Sequence, residues 1–281
     1  MHSRDSQLNN ARVVNHTMTI IIWSVALSTM LLPLSIISDV FIKGLAHLNW
    51  SFLTEIPKNS GREGGISSLF ISNSLILIVC LAVVIPIGIT TALYLNERVS
   101  PNDKVDKWIQ ISLDVLAGVP SIIFGLFGYV FFCQILGLGF SILSGGLSLA
   151  CMVLPLFIRL CENNLKNSPA SYREAAEALN ISHTGFIIKV LLPSVAEGIG
   201  AAVVVVMGRA LAETAVLIFT AGYALRYPNS LFDSGRSLSI HIYDLAMNVP
   251  GGMPAASATA IVLFLLLIIL NALVRFSCRR L

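Results

Sequence analysis

The chain is 281 residues long, 56% hydrophobic and only 12% charged, with a formal net charge of +3. Its mean hydropathy is +0.82. A soluble domain normally carries about 25% charged residues, so this composition excludes one and marks an integral membrane protein, in which the placing of Lys and Arg matters more than their sum.

A spanning helix needs about 20 mainly apolar residues. Six stretches meet that length, roughly 17–41, 68–95, 109–136, 140–160, 194–222 and 254–276. The expected fold is therefore an all-α membrane protein of six transmembrane helices. Residues 1–16 form an N-terminal segment, residues 17–281 one transmembrane domain, and residues 163–193 a long polar loop within it. The first apolar run is too long for a signal peptide and lacks a small-residue cleavage site, so no cleavable leader is expected. With the N-terminus inside, the inner segments carry Arg4, Arg12, Arg98, Lys104, Lys107, Arg159, Lys166, Arg173, Lys189, Arg275, Arg279 and Arg280, and the outer loops only Lys43, Lys58, Arg62, Arg226 and Arg236. Twelve against five obeys the positive-inside rule and places both termini and the 163–193 loop in the cytoplasm. The five cysteines, Cys80, Cys133, Cys151, Cys161 and Cys278, lie within or beside apolar segments without CxxC or Cys/His spacing. They give no sign of a disulfide framework or a zinc site and read as small buried hydrophobes.

Between the first two spans, residues 43–66 are Gly-rich and charged and read as a surface loop. The next connection, NERVSPNDKVDKW (96–108), alternates in charge and reads as a solvated linker with no chemistry of its own. In the third span Pro120 removes a backbone hydrogen bond, while Gly118, Gly125 and Gly128 allow close approach, which predicts a kinked and tightly packed helix. The fourth span ends with Arg159 and Glu162, three residues apart and able to pair on one helix face. The fifth holds Arg209 and Glu213 near its middle. A charge at the bilayer centre costs about 2.5–3.5 kcal/mol even on the lenient insertion scale, so both are expected to face the protein interior. At i, i+4 they are expected to share a helix face, either as a structural ion pair or with Arg209 free to present its donor fork to an anion while Glu213 holds the fork. His241 and Asp244 sit one helical turn apart in the loop that follows, and two residues are too few for a metal site.

The longest polar passage is Ser168 to Pro193, SPASYREAAEALNISHTGFIIKVLLP. Tyr172, Ala175, Ala176 and Leu179 recur at i, i+3, i+4 and i+7, an amphipathic helix with a small apolar stripe. Pro169 behind Ser168 suits a first helical position, with Ser171 and Glu174 as a competing capping box. Asn180 suits the left-handed turn that ends a helix, and Pro193 precedes the next apolar run. Taken alone, such a helix could simply lie on the membrane surface.

Glu174-Ala175-Ala176, a turn residue at 180 and Val190-Leu191-Leu192-Pro193 resemble the EAA loop of ABC importer permeases, with Asn180 where the family usually has Gly and Val190 where it usually has Ile. The third-span run LAGVPSIIFGLFG (116–128) is similar to the signature of the phosphate-specific (Pst) branch of that family, and GRALAETAVLIFTAG (208–222) and HIYDLAMNVPGG (241–252) to its PstA-like subunits. What the resemblance implies is a type I ABC importer permease fold in the bacterial inner membrane. The 163–193 loop would be a cytoplasmic coupling helix docked on the ATP-hydrolysing subunit through Tyr172, Glu174, Ala175, Ala176, Leu179, Asn180 and Pro193. Arg209, Glu213, Arg159 and Glu162 would lie on an anion path.

The implied partners are a homologous PstC-like permease subunit, two PstB-like ATP-binding subunits, an external PstS-like phosphate-binding protein, phosphate itself and the lipid bilayer. Neither a cofactor nor nucleic acid is implied. The chain contains no GxxxxGK[ST] motif, so the resemblance casts it as a transporter subunit and not an enzyme. Alternative readings are a permease for another oxyanion, such as sulfate or molybdate, or an ATP-independent anion channel or carrier. Moving a negative charge inward against an inside-negative potential costs about 2.3 kcal/mol per 100 mV, so an open pore would leak phosphate outward and uptake needs an energy source.

Overall fold

The computed structural model describes residues 2–98 and 104–278, and the basic residues Arg279 and Arg280 of the expected inner tail lie outside them. Four helices are long and apolar enough to cross a membrane unbroken, and two bent pairs raise the number to six if each pair makes one span. The first helix runs without a break over His2–Leu45, and its part apolar enough to cross a membrane is Asn15–Leu45. None of the most apolar window of this helix is buried, and it touches the rest of the chain along Met253–Cys278. There Gly44 is pressed against the Ser257–Ala258 backbone, and Phe41 meets Phe264 edge to face at 6.4 Å.

The centre of the bundle is the Ile142–Lys166 helix, with 67% of its apolar window buried. Its small residues explain why it can sit there. A Cβ on Gly146 would stand 2.5 Å from the Val79 side chain, and one on Gly88 of the Ser67–Arg98 helix 2.3 Å from the Phe157 ring, so a side chain of each helix seats on bare glycine backbone of the other. Ile76, Cys80, Val84, Leu149, Met152, Val153, Phe157, Val206 and Leu217 close this core.

The third expected span is bent as Pro120 demands. Lys104–Gly118 and the helical run Ser121–Ile135 meet at 96°, because proline offers no N–H and keeps the residue before it out of the helical region. Its glycines divide. Gly125 and Gly128 approach Ala215–Val216 and Ser148 closely, whereas Gly118 faces open space, so the expectation of close packing fails there.

The fifth expected span, 194–222, is not one helix. His183–Ser194 and Ala196–Ala212 are joined at 64°, and the helix stops at Ala212, ten residues before the expected end, followed by the short turn Ala215–Ile218. Glu213 is already extended at φ −75° and ψ 126°. Its carbonyl, released from the helix ladder, accepts the Ser239 hydroxyl at 2.7 Å from the Leu238–Met247 helix. A distant element thus supplies the hydrogen bond that helix continuation would otherwise provide.

Candidate functional site

In the polar loop, the helix spans Ala170–Ala178, with Pro169 capping it from outside rather than occupying its first position. Asn180 has φ +50°, the left-handed turn expected of it, and the Ile181 N–H returns to the Ala176 carbonyl at 2.9 Å. Ser182 then caps the return limb, its hydroxyl accepting the Gly185 N–H at 3.2 Å, and Pro193 sits just before the bend at Val195. Among the four stripe residues, Ala176 turns inward at 5% exposed, while Tyr172 at 42%, Ala175 and Leu179 at 73% face outward. The outward face of this helix is therefore Tyr172, Glu174, Ala175 and Leu179. Ala176 belongs to the core instead.

The charged residues Arg159 and Glu162 do not pair with each other. Arg159 donates to the Gln110 side chain, to the Gln110 carbonyl at 3.0 Å and to Asp114. Glu162, 1% exposed, accepts from Gln110 Nε2 at 2.6 Å and from Lys166 at 2.7 Å. Gln110 thus bridges the two, and its amide orientation is fixed: only its oxygen can receive a guanidinium and only its nitrogen can donate to a carboxylate. The reason is helix packing, which brings Lys104–Gly118 across the Ile142–Lys166 helix and gives Arg159 a carboxylate and two oxygens of Gln110, while Glu162 takes the Gln110 amide and Lys166 one turn along its own helix. Composition gives no sign of Gln110 or Asp114, and no periodicity in the third span marks them.

Arg209 and Glu213 also lack the arrangement expected of them. Since the helix ends at Ala212, the i, i+4 geometry does not exist, and no ion pair joins them among the described residues. Arg209 is half-buried with no hydrogen-bond partner for its guanidinium among the described residues, and Glu213 is half-buried with its side chain likewise unengaged.

At the opposite end, Arg236 is 6% exposed and lies between the two residues that could have suggested a metal. It pairs with Asp244 at 3.0 Å and its Nη1 donates to His241 Nδ1 at 3.3 Å, with its guanidinium 5.5 Å from the Tyr223 ring. Burial, reinforced by the Arg236 cation, pushes His241 down to about 3, so the ring is neutral and accepts from the arginine. No group of three or more potential metal ligands occurs among the described residues.

Residues 84–281 match the family described as "Binding-protein-dependent transport system inner membrane component". The chain belongs to that family. It is 30% identical over 236 residues to a probable ABC transporter permease protein, YqgI, of Bacillus subtilis, covering 79% of each chain. It is equally 30% identical over 238 residues to the phosphate transport system permease protein PstA of Xylella fastidiosa, covering 82% of this chain and 81% of that one. A further PstA relative, PstA 2 of Mycobacterium bovis, is 30% identical over 247 residues, covering 86% and 81%. Among solved structures, the inward-facing MetNI methionine ABC transporter superposes with a TM-score of 0.54 at 19% identity, covering 77% of this chain and 92% of that one. An amino acid ABC transporter gives a TM-score of 0.53 at 17% identity, covering 77% and 93%. The fold is that of type I ABC importer permeases, and the chain is a multi-pass membrane subunit of an ABC importer, a class that works with ATP-binding and substrate-binding partners.

Proposed function

We propose that this permease carries inorganic phosphate, as a PstA-like subunit paired with a second, PstC-like permease chain, two PstB-like ATP-binding subunits and an external PstS-like phosphate-binding protein. In this reading both termini and the 163–193 loop are cytoplasmic, and the loop docks in the ATP-binding subunit. The observation that carries the coupling role is the outward face of the Ala170–Ala178 helix. Tyr172, Ala175 and Leu179 expose apolar surface around Glu174 on an element that buries only Ala176 against its own chain. An apolar face on a polar loop suits a close-fitting protein partner. For the anion path, support comes from Arg209: an arginine in a spanning helix with no carboxylate partner among the described residues leaves its planar donor fork available to an oxyanion. Arg159, braced by Gln110, Asp114 and through Gln110 by Glu162, is the second cation of that path, with Glu213 at the helix end near Arg209. The phosphate reading is supported by the PstA relatives and by the 116–128 run.

The test is reconstitution of the assembled transporter with its binding protein, measuring uptake of radiolabelled phosphate with unlabelled sulfate and molybdate as competitors. ATP-dependent phosphate uptake resisting both competitors is expected. Uptake of sulfate or molybdate in place of phosphate would reassign the substrate, and phosphate flux without ATP would sink the coupled reading. Glu174→Lys should abolish stimulation of ATP hydrolysis by the loaded binding protein while the chain stays in the membrane.

A further inference from the structure

The polar linker at 96–108, which the sequence leaves without chemistry, opens with a buried carboxylate. Glu97 closes the 32-residue Ser67–Arg98 helix, and its side chain is only 3% exposed. Arg173 of the Ala170–Ala178 helix donates to its Oε1 at 2.6 Å, and the Asn96 amide donates to the same oxygen at 2.9 Å. The other oxygen lies 3.7 Å from His183 Nε2, on the return limb of the same loop. The Arg173 guanidinium also stands 5.4 Å from the Phe186 ring on that limb. The carboxylate therefore ties the loop helix to the end of one spanning helix through Arg173, with His183 of the return limb close by but not hydrogen-bonded to it.

Little else holds the loop helix at this point. Ala176 is its only buried residue, and a cavity of about 260 Å³ lined by Asn96, Lys166, Pro169, Arg173, Phe186 and Leu191 lies beside the contact. Lys166 pairs with Glu162 on its own helix, and the charged side chains Glu174, Glu177 and Lys189 form no ion pair among the described residues. A helix fastened by one charged arm beside a hollow can shift as a body, and whatever it is fastened to shifts with it. The arm's anchor is not on the neighbouring helix in sequence but on a span that runs into the most buried contact in the bundle, against Ile142–Lys166.

We propose that the Glu97–Arg173 pair is the joint through which movement of the loop helix is passed to the Ser67–Arg98 span, making Glu97 a positioning residue for coupled transport. The inference rests on the coupling reading of the loop and adds to it the path by which the motion enters the transmembrane bundle. Because Arg173 engages Glu97 through one nitrogen, a lysine can keep the link. An uncharged glutamine at either position cannot.

The experiment uses the assembled transporter in proteoliposomes with its binding protein, reading three quantities: co-purification of the ATP-binding subunits, stimulation of ATP hydrolysis by the phosphate-loaded binding protein, and radiolabelled phosphate uptake per assembled complex. Glu97→Gln and Arg173→Gln should assemble as the parent does, yet each should lose about tenfold in stimulated uptake per complex, within the usual range of inter-site coupling. The double Gln variant should be no worse than either single one, and Arg173→Lys should retain most of the uptake. Parent-like uptake in the single variants, additive losses in the double variant, or a loss explained wholly by reduced assembly would overturn the joint. Glu174→Lys separates the two levels of the argument. If it uncouples while Glu97→Gln does not, the joint alone is wrong; if Glu174→Lys remains fully coupled, the docking reading is wrong and the joint falls with it.

Discussion

Glu213 stands one residue beyond the end of the helix that carries Arg209, and its carbonyl is held by Ser239 rather than by the next turn of that helix. The two charges therefore do not neutralise each other along a helix face. Arg209 remains a cation without an acceptor in this chain among the described residues, which the proposed anion path requires of it.

That relationship decides between two outcomes at Arg209. Replacing both residues, Arg209→Gln with Glu213→Gln, should fail to restore uptake lost in Arg209→Gln alone, because there is no pair to rebalance. Arg209→Lys should also be impaired, since an ammonium keeps the charge but loses the two-pronged donor geometry. Hydrogen bonds to charged groups are worth about 1.5–3 kcal/mol, so a loss of at least about tenfold in phosphate uptake is expected, measured in vesicles against membrane abundance. Near-normal uptake by the double Gln protein would leave Arg209 without a role in the path.

Gln110 should matter to stability more than its uncharged side chain suggests. Gln110→Leu leaves Glu162 buried with only Lys166 and removes the side-chain oxygen that Arg159 donates to, while the main-chain carbonyl at 110 stays. A loss of about 1.5–3 kcal/mol is expected from thermal unfolding in detergent. Asp114→Asn should cost less, because that carboxylate is 69% exposed.

The third-span glycines should separate sharply. A methyl group at Gly128 would fall 2.0 Å from the Ser148 hydroxyl oxygen and 2.9 Å from Thr220. Gly128→Ala is expected to cost about 1–3 kcal/mol by overpacking. Gly118→Ala, which meets nothing within 4 Å, should change stability by less than about 0.5 kcal/mol. Equal melting temperatures for the two variants would contradict this packing.

At Asn180 the backbone, not the side chain, sets the requirement. Asn180→Gly should be nearly silent in uptake and in stability, whereas Asn180→Val, forced to φ +50°, should lose about 1–2 kcal/mol. A severe uptake defect in the glycine variant would assign the amide a contact of its own.

His241 predicts a pH dependence with a definite sign. Its folded value is depressed to about 3, while an unfolded histidine titrates near 6.5, so the unfolded chain binds the extra proton first as pH falls. The stability contributed by the neutral ring is whole above about pH 6.5 and is lost progressively toward pH 3, by at most about 1.4 kcal/mol per pH unit. Melting curves between pH 7.5 and about 4.5 should fall more steeply for the parent than for His241→Gln. Parallel curves would mean that the ring is already protonated when folded.

The sequence by itself determined the class of fold and the features that depend on neighbouring residues. Bilayer thickness converts the length of an apolar run into a span, which is why four of the expected six are single helices and the other two regions are bent pairs, and the bend at Pro120 follows from the chemistry of one residue. The left-handed turn at Asn180 was legible for the same local reason. Partner choice among charges was not legible. Arg159 finds Asp114 45 residues away, Glu97 finds Arg173 76 residues away, and Ser239 captures the Glu213 carbonyl across 26 residues. A buried charge takes whichever partner the packed helices bring to it, and a helix ends where another element claims its carbonyl. Helical spacing of i, i+3 and i, i+4 describes only the partners on one rod: it holds for Glu162 with Lys166, whereas Arg159 is drawn off to Gln110 and Asp114 of another helix once the helices pack together.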